Sequence, residues 1–403
     1  MKAFNPRNPA FHLDPYAYLQ PYRDQDPIHW SDTINMWLLT RYDDVKMMFQ
    51  DKRFGRGPEF HRLVTRPGEP LLPVERMRHN FFLFRDPPDH TRLRGLVSRA
   101  FTPRLVENLS ERIQAITDHL LDRVQERGEI EIISMLAYPL AVAVIADMLG
   151  IPLKDQELLG QYAADAASFV EVKPTEEDIT RANQLVATMT DYFLELFAEK
   201  RKNPQNDLIS QLIALEAEGD HLSEEELLGT CGLLLFAGHE TTANMIGNGI
   251  LTLLQHPTQM KQLNDDPSLL TSTVTELLRY STSVQALFRI ALEDVQMGDH
   301  TILAGQKTMG AVIAANRDPR RFADPDQLDI HRQSNQPLSF GHGIHYCLGA
   351  PLAMLEMQIA IATMMRRLPN LTLQTEQPDW RPSLTIRGLQ RLPLSFEVQR
   401  VYA

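Results

Sequence analysis

The residues best equipped for chemistry lie near the C-terminal end, in the run PLSFGHGIHYCLGA at 337–350. Three glycines surround a lone cysteine, Cys347, and no strong helix former precedes it, so the approach to the sulfur is a shaped loop. An amphipathic run, LGAPLAMLEMQIAIATMMRRLP, follows at once and predicts a long helix. Cys347 therefore stands at or just before a helix N-terminus, where unpaired amide N–H groups favour an anion and a thiol leans toward its thiolate. Gly343 and Gly349 let backbone come close to a flat ligand, and Phe340 is placed to cover the sulfur. One reading of Cys347 is a buried structural thiol, the common fate of an unbridged cysteine. A second is a zinc site from His342, His345 and Cys347, whose spacing is cramped for a tetrahedron and has no partner pair elsewhere.

A third reading is a haem-thiolate ligand. Phe340 lies seven residues before the cysteine, Gly343 four before it and Gly349 two after it. That pattern, FGHGIHYCLGA, resembles the haem-binding loop of the cytochrome P-450 superfamily of haem-thiolate monooxygenases. The resemblance runs over essentially the whole chain, because further motifs follow in the same order. The segment Ala237-Gly238-His239-Glu240-Thr241-Thr242 matches the family's [Ala/Gly]-Gly-x-[Asp/Glu]-Thr at every position. Taken alone it is an acid beside two threonines in a helix, and threonine there often only bonds back to a carbonyl. An acid in so apolar a run still needs a reason, since burying an unpaired charge is costly.

The resemblance implies a role for each of these positions. Cys347 is the axial ligand of the iron in haem b (iron protoporphyrin IX). Thr241 contacts dioxygen or its water, Glu240 belongs to the relay that brings protons from solvent, and Ala237 and Gly238 make room for oxygen. His90 and Arg94, in His-Thr-Arg-Leu-Arg, match the family's H-x-x-x-R segment and pair with the haem propionates, as do Arg289 and His345. Glu276-Leu-Leu-Arg279 resembles the E-x-x-R motif and Arg332 the third member of that buried triad, a structural role. Substrate contacts are implied in residues 55–84, 163–172, 284–288 and 384–386 and at Leu234, Leu235 and His239. These segments are mostly apolar, with His79, His239 and Gln285 as exceptions, so a medium-to-large hydrophobic substrate follows: a polyketide or macrolide, a terpenoid or a fatty acyl chain.

The elements that must position these groups are mainly helical. The capping box Ser223-Glu-Glu-Glu226 opens an apolar run that ends at His256-Pro257. It spans about 30 residues, or ~45 Å. Glycines at 229, 232, 238, 247 and 249 interrupt it; close approach by something flat would explain them, and so would tight helix packing. Helical periodicity dominates residues 88–280, with Asp266-Pro267 as cap and first-turn proline ahead of Glu276. β-structure is expected as a hairpin at 28–31 and 36–40, in 288–312, and in the tail around 371–373 and 394–398. One mainly-α domain with a minor β region, the cytochrome P-450 fold over residues 1–403 with no fused reductase, is the expectation.

Composition agrees with an enzyme and excludes other classes. The chain has 403 residues, 43% apolar and 23% charged, with net charge −12. That balance is neither disordered nor the basic signature of a nucleic-acid binder. Two cysteines make no disulfide framework and suit a reducing cytoplasm. Prolines and charges break every apolar run that could serve as a leader or a span, so no membrane attachment is expected. Against the acidic whole, residues 90–106 carry Arg92, Arg94, Arg99 and Arg104 and no acid. On one helix they would form a basic face for an acidic ferredoxin or flavodoxin, supplied in turn by its reductase. Many bacterial members have arginine seven residues after the cysteine, where this chain has Met354, so the docking mode departs from theirs. The expected protein is a cytoplasmic monomer of secondary metabolism; a peroxide-driven peroxygenase and a haem-binding sensor are the alternatives.

Overall fold

The computed structural model describes residues 4–58, 60, 61, 70–155, 159, 175–215, 222–375 and 377–398. These group into two compact units. The first contains residues 1–55, 114–138 and 241–403, and the second residues 56–113 and 139–240.

The first unit holds the β-structure. β1 (Ile28–Ser31) and β2 (Met36–Leu39) form the expected hairpin, with Ile28 opposite Leu39 and Asn35 taking the positive φ of the turn. β3 is Phe54–Gly55; β4, Glu129–Glu131, is a strand that the helical reading of 88–280 passed over. Three residues are too few to show a period of two. β5 (Ala286–Ala291), β6 (Val295–Met297), β7 (His300–Ile302) and β8 (Lys307–Ala311) occupy the stretch expected to be β-rich. The main sheet runs β1-β2-β8-β5-β3, with β2 and β8 parallel. Its cover is the helix Tyr42–Gln50, which packs closely on β8: a Cβ on Gly310 would lie 2.7 Å from Met48 Cε and 3.0 Å from Val45 Cγ1. In the tail, β9 (Thr372–Leu373) and β12 (Pro393–Ser395) join β4 in a three-stranded sheet, and β10 (Asp379–Trp380) pairs with β11 (Leu389–Arg391).

The helix Leu270–Tyr280 of the same unit carries Glu276 and Arg279, both fully buried. Asp266 caps the short 3-10 turn Pro267–Leu269 ahead of it, so the expected first turn is 3-10 rather than α. Glu276 accepts two bonds from Arg279, at 2.7 and 2.8 Å, and Arg332 Nε lies 3.2 Å away. The Asp329 amide and Asn335 Nδ2 also donate to it. Five donors on one carboxylate fix the chain just before the cysteine loop.

The second unit is helical. Pro73–His79, Asp89–Ala100, Glu176–Lys202 and Leu208–Ala214 are its main complete helices, and part of Glu224–Gln255 belongs to it. Thr175 and Asp178 cap Glu176–Lys202 reciprocally. The basic run 90–106 proves to be two helices, Asp89–Ala100 and Pro103–Asn108, not one. Thr102 accepts from the Leu105 amide and a proline opens the new helix, so the chain stops and restarts.

Candidate functional site

In the first unit the cysteine loop is built by its own backbone. The Cys347 amide donates to Phe340 O at 2.9 Å, Tyr346 N to Gly343 O at 3.0 Å and Gly341 N to Leu338 O at 2.8 Å. Gly341 (φ +69°) and Gly343 (φ +71°) turn the chain through the left-handed region that side chains disfavour. The helix Ala350–Arg367 starts three residues past Cys347, and its N-cap, Gly349, offers no side-chain acceptor. The first-turn amides are thus left to whatever lies beyond the helix end. Cys347 and Phe340 are half-buried, and the Phe340 and Tyr346 rings meet edge to face at 6.4 Å. A Cβ on Gly349 would lie 4.0 Å from the Cys347 sulfur, an ordinary contact with nothing else within reach.

The two thiols differ in kind. Cys231 is wholly buried, and burial pushes its pKa well up, so it is the structural cysteine of the chain. Cys347 is partly open. Among the described residues no three His, Cys, Asp or Glu side chains converge as metal ligands, so the zinc reading of His342, His345 and Cys347 has no geometric support.

Arg289 lies on β5, 2% exposed, with its guanidinium 5.3 Å from the Phe49 ring centroid and one bond to Phe288 O. His345 ends the single 3-10 turn Gly343–His345, half-buried. The segments 284–288 and 384–386 are brought together: Val284 and Ile386 form an isolated antiparallel bridge, and Gln285 N donates to Thr385 O at 2.8 Å.

Glu224–Gln255 is one unbroken helix, and its capping box forms as the sequence spelled it, with Ser223 N on Glu226 and Glu226 N on Ser223 Oγ. Of its residues within the first unit, Thr241 is half-buried and Thr242 buried. Asn244, 1% exposed, was not singled out by sequence. Neither its Oδ1 nor its Nδ2 has a partner among the described residues, and Gly388 backs against it so closely that a Cβ there would sit 2.0 Å from Oδ1. The available signal was the polar pair Asn244 and Asn248, one turn apart in an apolar helix.

In the second unit the same helix carries Ala237 and Gly238, half-buried, and His239 and Glu240, buried at 1% and 6% exposure. His239 Nδ1 lies 2.5 Å from Leu235 O, which turns the ring along the helix. The glycines of this helix face protein: a Cβ on Gly238 would come within 2.9 Å of Ile145, and one on Gly229 within 2.5 Å of Asn80. Tight packing accounts for them. His90 is buried and Arg94 half-buried, four apart on Asp89–Ala100. Arg92, part of the basic run, forms an ion pair with Glu226. The run is therefore less positive than its composition suggests. Residues 163–172, read as substrate contacts, lie outside the described residues, as do 59 and 62–69.

The donor set suits a haem. A half-buried thiol lies three residues before a helix whose N-cap offers no side-chain acceptor, and Gly349 leaves its sulfur uncrowded. Comparison with known proteins agrees. The family model described as Cytochrome P450 matches residues 27–399. The Biotin biosynthesis cytochrome P450 of Bacillus subtilis (strain 168) is 39% identical over 96% of this chain and 97% of its own length. The Polyketide biosynthesis cytochrome P450 PksS of the same organism is 37% identical over 98% of each. The crystal structure of P450BioI in complex with hexadec-9Z-enoic acid ligated acyl carrier protein superposes with a TM-score of 0.89 at 38% identity, covering 96% of this chain and 100% of that one. Among the described residues no helix is long and apolar enough to cross a membrane.

Proposed function

This chain belongs to the cytochrome P450 family, an oxidoreductase family that works with haem, and from that premise we propose that it is a monooxygenase of a medium-to-large hydrophobic substrate, acting by hydroxylation or epoxidation as a single haem domain. One atom of dioxygen enters the substrate and the other leaves as water. The haem, taken as haem b, supplies the activation of dioxygen. The observation that carries the reading is the Cys347 loop, with its closed backbone bonds and two left-handed glycines ahead of a bare helix N-terminus.

Each residue then has a defined task. Cys347 would hold the haem iron through its sulfur, and the thiolate would lend the group the electron donation that oxygen activation needs. Phe340 would shield that sulfur, and Gly343 and Gly349 would leave room for a flat group to approach the backbone. His90, Arg94, Arg289 and His345 hold the propionates. Thr241 presents a hydroxyl proton to the reacting oxygen and Glu240 restores it from solvent, which limits leakage of peroxide. Ala237 keeps the helix surface low there, whereas Gly238, expected to do the same, packs against Ile145 instead. Electrons come from a separate ferredoxin or flavodoxin with its reductase, and the enzyme is a cytoplasmic monomer. The likeness to an acyl-carrier complex and to a polyketide enzyme favours a fatty acyl or polyketide chain, free or carrier-bound, as substrate.

The test is spectroscopic first. Reduced holoprotein with carbon monoxide should give the thiolate-ligated spectrum, and Cys347→Ala should abolish it. A titration against lipophilic acids, macrolides and terpenoids should then reveal spin-state shifts. Turnover with a ferredoxin system, tighter than with peroxide alone, completes it. An unchanged spectrum in Cys347→Ala, or activity with peroxide only, overturns the proposal.

A further inference from the structure

The first unit contains a cavity of about 610 Å³ that involves none of the residues assigned above. It lies where the helix Pro15–Gln25, the end of the helix Glu224–Gln255 and the tail around Trp380 and Arg387 meet. Three arginines line it, Arg23, Arg317 and Arg387, and the two that matter here are more than nine-tenths buried: Arg317 at 5% exposure and Arg387 at 7%. Each lies on aromatic faces. Arg387 Cζ is 3.6 Å from the Trp380 ring centroid, and Arg317 Cζ is 3.7 Å from that of Tyr280 and 4.4 Å from that of Tyr16.

Their charges are unequally answered. Arg317 Nη1 pairs with Asp326 at 2.8 Å, and its Nη2 donates to Tyr280 O. Its Nε is buried with no partner among the described residues. Arg387 has no carboxylate within ion-pair reach among the described residues; it donates only to the carbonyls of His12, at 3.1 Å, and Leu13, at 3.4 Å. Of five guanidinium donors, two are used. The other carboxylate of the lining, Asp14, is engaged in capping Pro15–Gln25 through Tyr16 N and Ala17 N. Arg23, also in the lining, is held by Asp24. Three cations thus face two acids that are already engaged. A buried charge without a counter-charge is costly, and burial pulls the Arg387 pKa down. An anion arriving from solvent would complete it, and the flat aromatic walls add area for a ring.

We propose that this cavity is a second ligand site, separate from the monooxygenase site, which takes a small aromatic monocarboxylate with its carboxylate on Arg387 and Arg317 and its ring against Trp380 and Tyr280. The volume is that of a small-molecule pocket rather than of a single ion.

The experiment uses holoenzyme whose haem pocket is filled with a tight azole, clotrimazole, and follows 4-fluorobenzoate by its fluorine resonance. Saturable broadening should persist with the azole bound. Arg387→Gln should weaken binding at least tenfold. Ala17→Trp, at an exposed lining position, should block the cavity to the same extent without touching a buried group, and it decides the matter if Arg387→Gln does not fold. Equimolar inorganic phosphate should not displace the probe. Loss of binding when the azole is present, unchanged affinity in Ala17→Trp, or displacement by phosphate overturns the proposal.

Discussion

Replacing Gly343 by alanine tests the architecture of the cysteine loop where its geometry is most demanding. The residue has φ +71°, where an L side chain costs about 1–2 kcal/mol. The new Cβ would stand 2.4 Å from the carbonyl oxygen of Phe49 and 3.3 Å from the Cα of Gln50. Both obstacles are backbone at the end of the helix Tyr42–Gln50, and Phe49 is 3% exposed, so no rotamer change can relieve the overlap. Forcing a methyl group into such a contact costs about 1–3 kcal/mol. The sum is about 2–5 kcal/mol, or roughly 4–10 °C in Tm at about 2 °C per kcal/mol for a large domain. Because Gly343 O is the acceptor that holds Tyr346 N, the strain should also move Cys347. Gly95→Ala, in the helix Asp89–Ala100, is the control: its Cβ meets nothing within 4 Å, so stability should not fall. Thermal melts of the holoproteins and the reduced carbon monoxide spectrum read both effects. If Gly343→Ala melts with the parent and keeps its spectrum, the left-handed glycine and the Phe49 contact do not shape the loop.

Further outcomes follow from individual groups. Glu276→Gln leaves the fully buried Arg279 with a neutral partner and should cost about 3–5 kcal/mol in urea unfolding; a loss under about 1 kcal/mol contradicts the triad's structural role. Thr241→Ala should retain haem and fold while diverting reductant to peroxide, measured as product formed per reductant consumed; unaltered coupling removes Thr241 from proton delivery. Burial raises the Glu131 pKa, but the amides of Leu392, Ser134 and Ile133 and the Ser134 hydroxyl together pull it below its ordinary 4.5. Its contribution is therefore complete above the unfolded value and lost as pH falls through the lower folded one, so Glu131→Gln should be less stable than the parent at pH 7 and converge with it in acid. Glu356 runs the opposite way: burial holds its pKa well above 4.5, so the unfolded chain ionises first and stability falls as pH rises from there. Glu356→Gln should remove that decline, with a gain in Tm at pH 8 larger than at pH 5; equal gains at both would show that the carboxyl is not held neutral.

What the sequence revealed, and what it hid, divides by the range of the interaction that decides each feature. The cysteine loop, the Ser223 capping box, the hairpin at 28–39 and the proline stop at 257 are all local: each is fixed by a few neighbouring residues, and each stands where those residues put it. β4 was missed because Glu129–Glu131 is a strand only through its pairing with β12, whose partner residues lie more than 260 positions later. The break after Ala100 was a local signal outweighed by charge pattern: Thr102 followed by proline spells a cap, yet the run of arginines invited one continuous face. Charge itself misled for a different reason. Arg92 looked free in a segment without acids, but its partner Glu226 comes from a helix start 134 residues on. The same limit governs Asn244, whose buried amide matters because Gly388 closes on it, and Arg387, whose buried charge matters because no carboxylate among the described residues forms an ion pair with it. A motif reports which residues can act; only the fold reports whether a charge or an amide is already answered. For this chain the turn-rich conformation of the cysteine loop was therefore readable in advance, while the second cavity, built from tertiary neighbours, was not.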